Sequence, residues 1–244
     1  MTLEQQISSL NENVGNLIVA AEQLTSKVEN KLQEYETWKG TLNKANPVIL
    51  KVGSDKEFKH PLDAAILIAG HGLTGDVIWR IEIDPGIYDF PYKGSHEIAF
   101  SYFKNVQLIG LGKNPDDTIF RYAGDEHHYM LIAERNSTML VKNISFRGNF
   151  AFTADFVTRI NNRSLRSGMA GGGLAHGILI RFQSSAVIDN CTFYRLWVVA
   201  HCHDGSKLDI FNVNGSEIQT GCYAIANSRI EMTRAVFSGF GPYG

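Results

Sequence analysis

The sequence has little cysteine, almost no net charge and no long apolar run, and each absence excludes a class of protein. With 23 Lys and Arg against 25 Asp and Glu in 244 residues, it lacks the basic surface by which most nucleic-acid binders neutralise phosphates. No apolar run approaches the ~18 residues that span a bilayer. Cys191, Cys202 and Cys222 are spaced too irregularly for a disulfide framework or a CxxC metal site. What the chain does have is 44% apolar residues, enough for a large core.

Residues 1–45 follow a heptad repeat. With Ile7 at position a, only Lys31 interrupts the apolar a and d positions, no proline occurs before Pro47, and Gly15 falls on the outer b position. Sustained 4-3 spacing keeps one stripe facing a partner helix only if the helices supercoil. The sequence therefore predicts a coiled-coil oligomerisation stem. Its interface residues are Leu3, Ile7, Leu10, Val14, Leu17, Ala21, Leu24, Val28, Tyr35, Trp38 and Leu42.

The number of helices in this coiled coil depends on the positions beside the stripe. Ile and Val at a with Leu at d favour two strands. However, the e and g positions include the apolar residues Ile18, Ala20 and Leu32 and few charges, and a wider apolar face suits three or more helices. We predict a parallel homotrimer. The alternative is a single long helix packed on its own domain.

Residues 46–75 are predicted to form a linker and a short helix. The pair Asn46-Pro47 ends the coiled coil because the residue before proline is disfavoured in the α region. Residues 61–71 are apolar enough for a helix that caps the following domain. The alternation in residues 77–83 predicts a strand, and a Pro-Gly turn follows within residues 84–88.

Residues 76–244 read as short strands separated by Asn, Asp, Gly and Ser. A shared apolar phrase recurs in residues 140–146, 187–193, 208–213 and 230–237, the last three about 20–22 residues apart. This period is typical of coils that stack around one continuous core. A β-sandwich is the alternative, but it needs hairpin turns every ~8–12 residues. We expect a polar loop insertion at about residues 150–176.

The order of these segments resembles a known family. A short Asp-Ala-Ala-Ile helix, a strand, an Asp-Pro-Gly-Ile-Tyr turn and the coil Asn-Val-Gln-Leu-Ile-Gly-Leu-Gly are similar to the opening of pectate-lyase-type right-handed parallel β-helix proteins. A long coiled coil ahead of them resembles bacteriophage tail fibres and tailspikes, or the fibres of contractile injection particles. The resemblance implies a mainly β fold: an N-terminal parallel trimeric α-helical coiled coil followed by a right-handed parallel β-helix.

The same resemblance implies partners and a location. It implies a homotrimer in the virion, made in the host cytoplasm, that attaches to tail or baseplate proteins and meets host surface polysaccharide, with no nucleic acid and no membrane insertion. No signal sequence is recognisable at the N-terminus. A stack of coils normally ends in a cap, and none is recognisable in residues 238–244. We expect further coils of a longer fibre beyond Gly244; the alternative is that contacts within the trimer cover the last coil.

Three groups of residues are candidates for chemistry. Asp189, Asp209 and Glu231 follow equivalent apolar positions one repeat apart, as a carboxylate pair for glycoside hydrolysis requires; a solvated ladder is the alternative. His201 and His203 share a strand face and can ligate a metal, with a plain turn as the alternative. Arg159, Arg163 and Arg166 lie in the loop insertion, where they form a recognition loop for an acidic glycan or remain a solvated loop.

The assembly signals are stronger than the catalytic ones. We therefore expect a structural and adhesive tail fibre or tailspike subunit that contributes to host recognition and is not itself an enzyme. The alternatives are a polysaccharide depolymerase, acting as hydrolase or lyase on capsule or lipopolysaccharide, and a bacterial surface adhesin. The insertion lacks the Gly-Lys-Ser/Thr ending of a phosphate loop, and we expect no cofactor.

Overall fold

The structure is a computed structural model that describes residues 2–42, 47–71, 77–103, 105–124, 128–149 and 175–238. Within residues 30–42 only the backbone is described. The chain divides into two compact units, Met1–Asn46 and Pro47–Gly244.

The first unit is one long helix, α1, over Leu3–Leu42. Thr2 and Gln5 begin it with a capping box. The Gln5 backbone N–H donates to Thr2 Oγ1 at 3.4 Å, and the Thr2 N–H donates to Gln5 Oε1 at 2.9 Å. Glu4 in the first turn is stabilised by the positive end of the helix dipole.

The second unit contains a short helix, α2, and sixteen described strands. Helix α2 spans Pro61–Gly70, and His60 caps it by accepting a hydrogen bond from the Leu62 N–H. The strands are Val48–Val52 (β1), Trp79–Ile83 (β2), Gly86–Phe90 (β3), Ile98–Ser101 (β4), Val106–Gly110 (β5), Thr118–Tyr122 (β6), His128–Glu134 (β7), Thr138–Lys142 (β8), Ser145–Arg147 (β9), Ala175–Arg181 (β10), Ser185–Asp189 (β11), Thr192–Tyr194 (β12), Val198–Cys202 (β13), Lys207–Ser216 (β14), Thr220–Ala224 (β15) and Arg229–Ser238 (β16).

These strands pair in parallel in two sheets. The larger has eleven strands in the order β1-β2-β5-β8-β11-β14-β12-β9-β6-β3, with β16 beside β14, and the smaller has the order β15-β13-β10-β7-β4. We call β1, β2, β5, β8 and β11, together with the first halves of β14 and β16, row A. The strands β3, β6, β9 and β12, with the second halves of β14 and β16, form row B. The five-stranded sheet is row C.

The pairings correct the fold class predicted from the sequence, a mainly β chain with a right-handed parallel β-helix. Within the described residues the chain has two α-helices, and its strands lie mostly parallel in one large sheet, as in α/β proteins. The prediction took the repeat of about 20–22 residues as the period of separate coils that stack on one another. Instead, β14 and β16 each run for ten residues through two rows and join these rows into a single sheet.

The core is built from residues that repeat at matched strand positions. In row B, Phe120, Phe146 and Phe193 are in register, with ring centroids 5.5 and 5.0 Å apart in successive pairs. The next matched position is Gly215. A Cβ there would meet Ile218 Cδ1 and would lie 2.6 Å from the ring of Phe237, so these two side chains occupy the space that a further side chain would need.

The turns between rows also repeat. Entering row A, Ser137, Ser184, Ser206 and Ser228 form a ladder in which each backbone N–H donates to the next serine hydroxyl at 3.1 Å. The matched partners are 47, 22 and 22 residues apart. Because the first three serines are buried, the ladder satisfies backbone groups that water does not reach.

Candidate functional site

The apolar stripe of α1 lies on the surface of the single chain. Among the predicted a and d residues whose side chains are described, the large ones are 46–72% exposed; these are Leu3, Ile7, Leu10, Val14, Leu17 and Leu24. Ala21 is also exposed. The side chains of Val28, Tyr35, Trp38 and Leu42 lie outside the described residues. A continuous apolar stripe of this length on a surface is typical of an interaction site.

Two of the three candidate catalytic carboxylates are neighbours. Asp209 is paired in register with Glu231 on adjacent parallel strands, β14 and β16. Asp189 does not join them, because it is in register with Phe211, two positions further along β14. Matching the apolar positions of successive repeats in the sequence did not show this two-residue offset between Asp189 and Asp209.

Each of these carboxylates has a basic partner. Lys142 contacts Asp189 at 2.9 Å, Lys207 contacts Asp209 at 2.9 Å, and Arg229 pairs with Glu231. Burial by itself raises the pKa of Asp189, but hydrogen bonds from Lys142 and Asn212 outweigh it and lower this pKa below its usual value. A general acid needs the opposite shift.

His201 is the centre of a tyrosine–histidine cluster in row C. Its Nδ1 lies 2.9 Å from the Tyr129 hydroxyl and 2.7 Å from the Tyr223 hydroxyl. The imidazole of His203 lies with its centroid 4.6 Å from that of His201, and its Nδ1 is 2.6 Å from Asp204 Oδ2. Burial, reinforced by the nearby His203, lowers the pKa of His201 to about 4. The ring is therefore uncharged at neutral pH, and its Nδ1 is hydrogen-bonded to both hydroxyls.

The hydrogen bonds occupy one nitrogen of each imidazole. Nδ1 of His201 and Nδ1 of His203 each have a hydrogen-bond partner, and Cys202 between them is buried with its Sγ 3.8 Å from the Arg229 carbonyl oxygen. Within the described ranges, no group of three or more His, Cys, Asp or Glu side chains is arranged to hold a metal ion. Arg159, Arg163 and Arg166 lie outside the described residues.

A partly buried ion pair in row C was not anticipated from the sequence. Glu134 is buried, and its Oε2 accepts from Arg181 Nε at 2.8 Å and contacts Nη2 at 2.7 Å, while its Oε1 accepts from the Ser101 hydroxyl at 2.6 Å. Burial raises the pKa of Glu134, but these donors outweigh it and lower it. The three residues are in register on β4, β7 and β10. Only the strand pairing brings them together.

A pocket lies beside this ion pair, where the chain turns out of row C. Its volume is about 430 Å³. We call it the turn pocket. It is lined by Tyr102, Arg135, Asn136, Phe182, Gln183 and Asp204, all of which have positive φ.

A second polar cavity, of about 410 Å³, lies on row B. At its edge Asp116 accepts from Thr192 Oγ1 at 2.9 Å and from Arg147 Nη2 at 3.2 Å. Burial raises the pKa of Asp116, but bonds from Ser145, Thr192 and Arg147 lower it overall. This carboxylate is therefore ionised and already bonded at neutral pH.

Comparison with known proteins identifies no similar protein. No protein-family model, curated protein or solved structure matches the chain. Within the described residues, neither helix combines the length and apolarity needed to cross a membrane.

Proposed function

We propose that this protein is a structural and adhesive subunit of a homotrimeric fibre, a tail fibre or tailspike of a phage or a related contractile particle. In this proposal α1 is the oligomerisation stem, the fibre attaches to tail or baseplate proteins, and the second unit contributes to contact with host surface polysaccharide. The mature location is the virion.

The exposed stripe on α1 is the observation that supports the proposal most directly. Fully burying a leucine or isoleucine side chain is worth about 1.5–3 kcal/mol. Three copies that each bury six large stripe residues would gain several times that amount, enough to offset the entropy of association. Burial of this apolar stripe therefore favours self-association of the 40-residue helix in water.

Sedimentation velocity of the full chain tests the proposal. We expect the mass of a trimer for the wild type and a smaller species for the double variant Leu17→Asp with Leu24→Asp, because two d positions become charged. The matched control is Val19→Asp with Ser26→Asp. It adds the same charge at the same seven-residue spacing, on the f positions away from the stripe, and we expect it to stay trimeric. A monomeric wild type, or equal masses for both variants, would refute the proposal.

A depolymerase is the second candidate, because Asp209 and Glu231 lie on adjacent strands. Neighbouring parallel strands are ~4.8 Å apart, close to the ~5–5.5 Å between the carboxylates of retaining glycosidases. Their pairing with Lys207 and Arg229 opposes the acid role. Release of new reducing ends from capsule or lipopolysaccharide, lost on Glu231→Gln, would favour the enzyme over the adhesive subunit.

A further inference from the structure

Among the described residues, Arg135 has one long ion pair, with Glu134. Glu134 is already bound at Oε2 by Arg181 and at Oε1 by Ser101. Arg135 Nη1 is 4.0 Å from Glu134 Oε1, too far for a hydrogen bond. The Arg135 side chain is 52% exposed at the mouth of the turn pocket. Its planar set of donors is therefore available to an anionic group from solution.

Two exposed aromatic side chains line the turn pocket with this guanidinium, whose Cζ lies 5.8 Å from the centroid of the Tyr102 ring. The guanidinium next to the Phe182 ring is that of Arg181, with its Cζ 5.0 Å from the ring centroid. Tyr102 is 49% exposed and Phe182 is 41% exposed, although large aromatic side chains usually bury most of their area. Tyr102 directly follows β4 and Phe182 directly follows β10. These two strands are the neighbours of β7, and Arg135 directly follows β7. The Asn136 N–H donates to the Phe182 carbonyl at 3.0 Å, so adjoining turns are held together.

The backbone of these turns is strained in a repeated way. Tyr102, Arg135 and Phe182 have φ of 66°, 56° and 55°, a region that bulky side chains rarely adopt. Such strain persists only where the surrounding structure imposes it, and it concentrates at functional sites. Here it turns both rings and the guanidinium outward instead of into the core.

The rest of the pocket supplies neutral hydrogen-bonding groups and one carboxylate. Asn136 and Gln183 contribute exposed amides, which both donate and accept. Asp204 is bonded at Oδ2 to His203, and its presence disfavours a dianion in the same cavity. A ligand with one negative charge, several hydroxyls and an apolar ring face matches all of these groups.

We propose that the turn pocket binds a carboxylate-bearing sugar ring of an acidic saccharide. The carboxylate lies on Arg135, the apolar C–H face of the ring packs on Phe182 or Tyr102, and the hydroxyls bond to Gln183 and Asp204. The assignment rests on the proposed adhesive function and names the chemistry of its ligand.

Isothermal titration with oligosaccharides tests the assignment on the full chain. The probes are short oligomers of glucuronate and of galacturonate, with the matching neutral oligomers of glucose and galactose. We expect at least one acidic oligomer to bind roughly tenfold more tightly than its neutral match. Arg135→Gln should weaken this binding roughly tenfold and Phe182→Leu by a similar factor. Arg195→Gln, which removes an exposed arginine paired with Glu217 outside the pocket, should leave it unchanged.

Three results would overturn the assignment. These are binding of neither acidic oligomer, equal binding of neutral and acidic oligomers, and unchanged affinity in Arg135→Gln. Competition by inorganic phosphate as strong as that by the uronate would also overturn it, because it would show an unspecific anion site. Sedimentation of the same samples separates the two proposals: a trimer without saccharide binding refutes the pocket alone, and a monomer that binds refutes the trimeric fibre alone.

Discussion

Acid should destabilise the second unit through His60, the residue that caps α2. His60 is 4% exposed; its Nδ1 accepts from the Leu62 N–H at 3.1 Å, and its Nε2 lies 3.1 Å from the Asp89 carbonyl oxygen. Burial lowers the pKa of His60 from 6.5 to about 4, although the Asp89 carbonyl and nearby carboxylates oppose this. A proton on Nδ1 would remove the acceptor that caps the helix.

The size of the effect follows from the difference between the folded and unfolded pKa. Above pH ~6.5 His60 is neutral in both states and has no effect on stability. As the pH falls from about 6.5 to about 4, the unfolded chain binds a proton that the folded chain does not, so stability is lost. The shift of about 2.5 units corresponds to about 3 kcal/mol at most. The low exposure of His60 means that solvent screening reduces this value only modestly.

Urea unfolding at several pH values measures this loss. The test variant is His60→Asn, because asparagine keeps an N-cap acceptor but does not titrate. We expect the free energy of unfolding of the wild type to fall by up to about 3 kcal/mol more than that of the variant between pH ~6.5 and ~4. His71→Asn, at an exposed histidine, is the control and should follow the wild type. Equal pH slopes for the wild type and His60→Asn would refute the reasoning.

Three further changes test the packing, each by urea unfolding at neutral pH. Gly215→Ala should lower the free energy of unfolding by about 1–3 kcal/mol, because its Cβ would meet a phenylalanine ring. Gly15→Ala in α1 is the control and should not destabilise the protein, because no atom lies within 4 Å of the added Cβ. Equal effects of the two changes would contradict this account of the core. Ser184→Ala should cost about 1–3 kcal/mol because it breaks the buried serine ladder; a change below ~0.5 kcal/mol would show that the ladder is dispensable. Glu134→Gln should cost about 1–3 kcal/mol, because it leaves the Arg181 guanidinium, which is 35% exposed, without its carboxylate. A neutral effect would mean that water replaces this carboxylate.

Local pattern accounts for the elements that the sequence predicts well. The segment over residues 1–45 is helical over Leu3–Leu42, and the short helix expected in residues 61–71 is α2, Pro61–Gly70. The strand expected in residues 77–83 is Trp79–Ile83. Heptads, alternation and capping residues act over a few positions, so the sequence shows them directly.

The predictions that failed depend on the register and pairing of the strands, which the sequence does not show. Asp189 and Asp209 both follow an apolar residue, yet the backbone pairs Asp209 with Val187 and moves Asp189 out of the column. The fold class was wrong because nothing in the short repeated phrases shows that β14 and β16 continue unbroken from one row into the next. The residues of the turn pocket stand between positions 102 and 204 and share no motif.

The sequence by itself determined where the helices lie, the alternation of the strands, and the apolar stripe along α1. The tertiary structure alone decided which strands are neighbours, and with them the Glu134–Arg181 pair and the turn pocket. The physical reason is that a helix closes its hydrogen bonds within four residues, whereas these sheets close theirs between strands 22 to 47 residues apart.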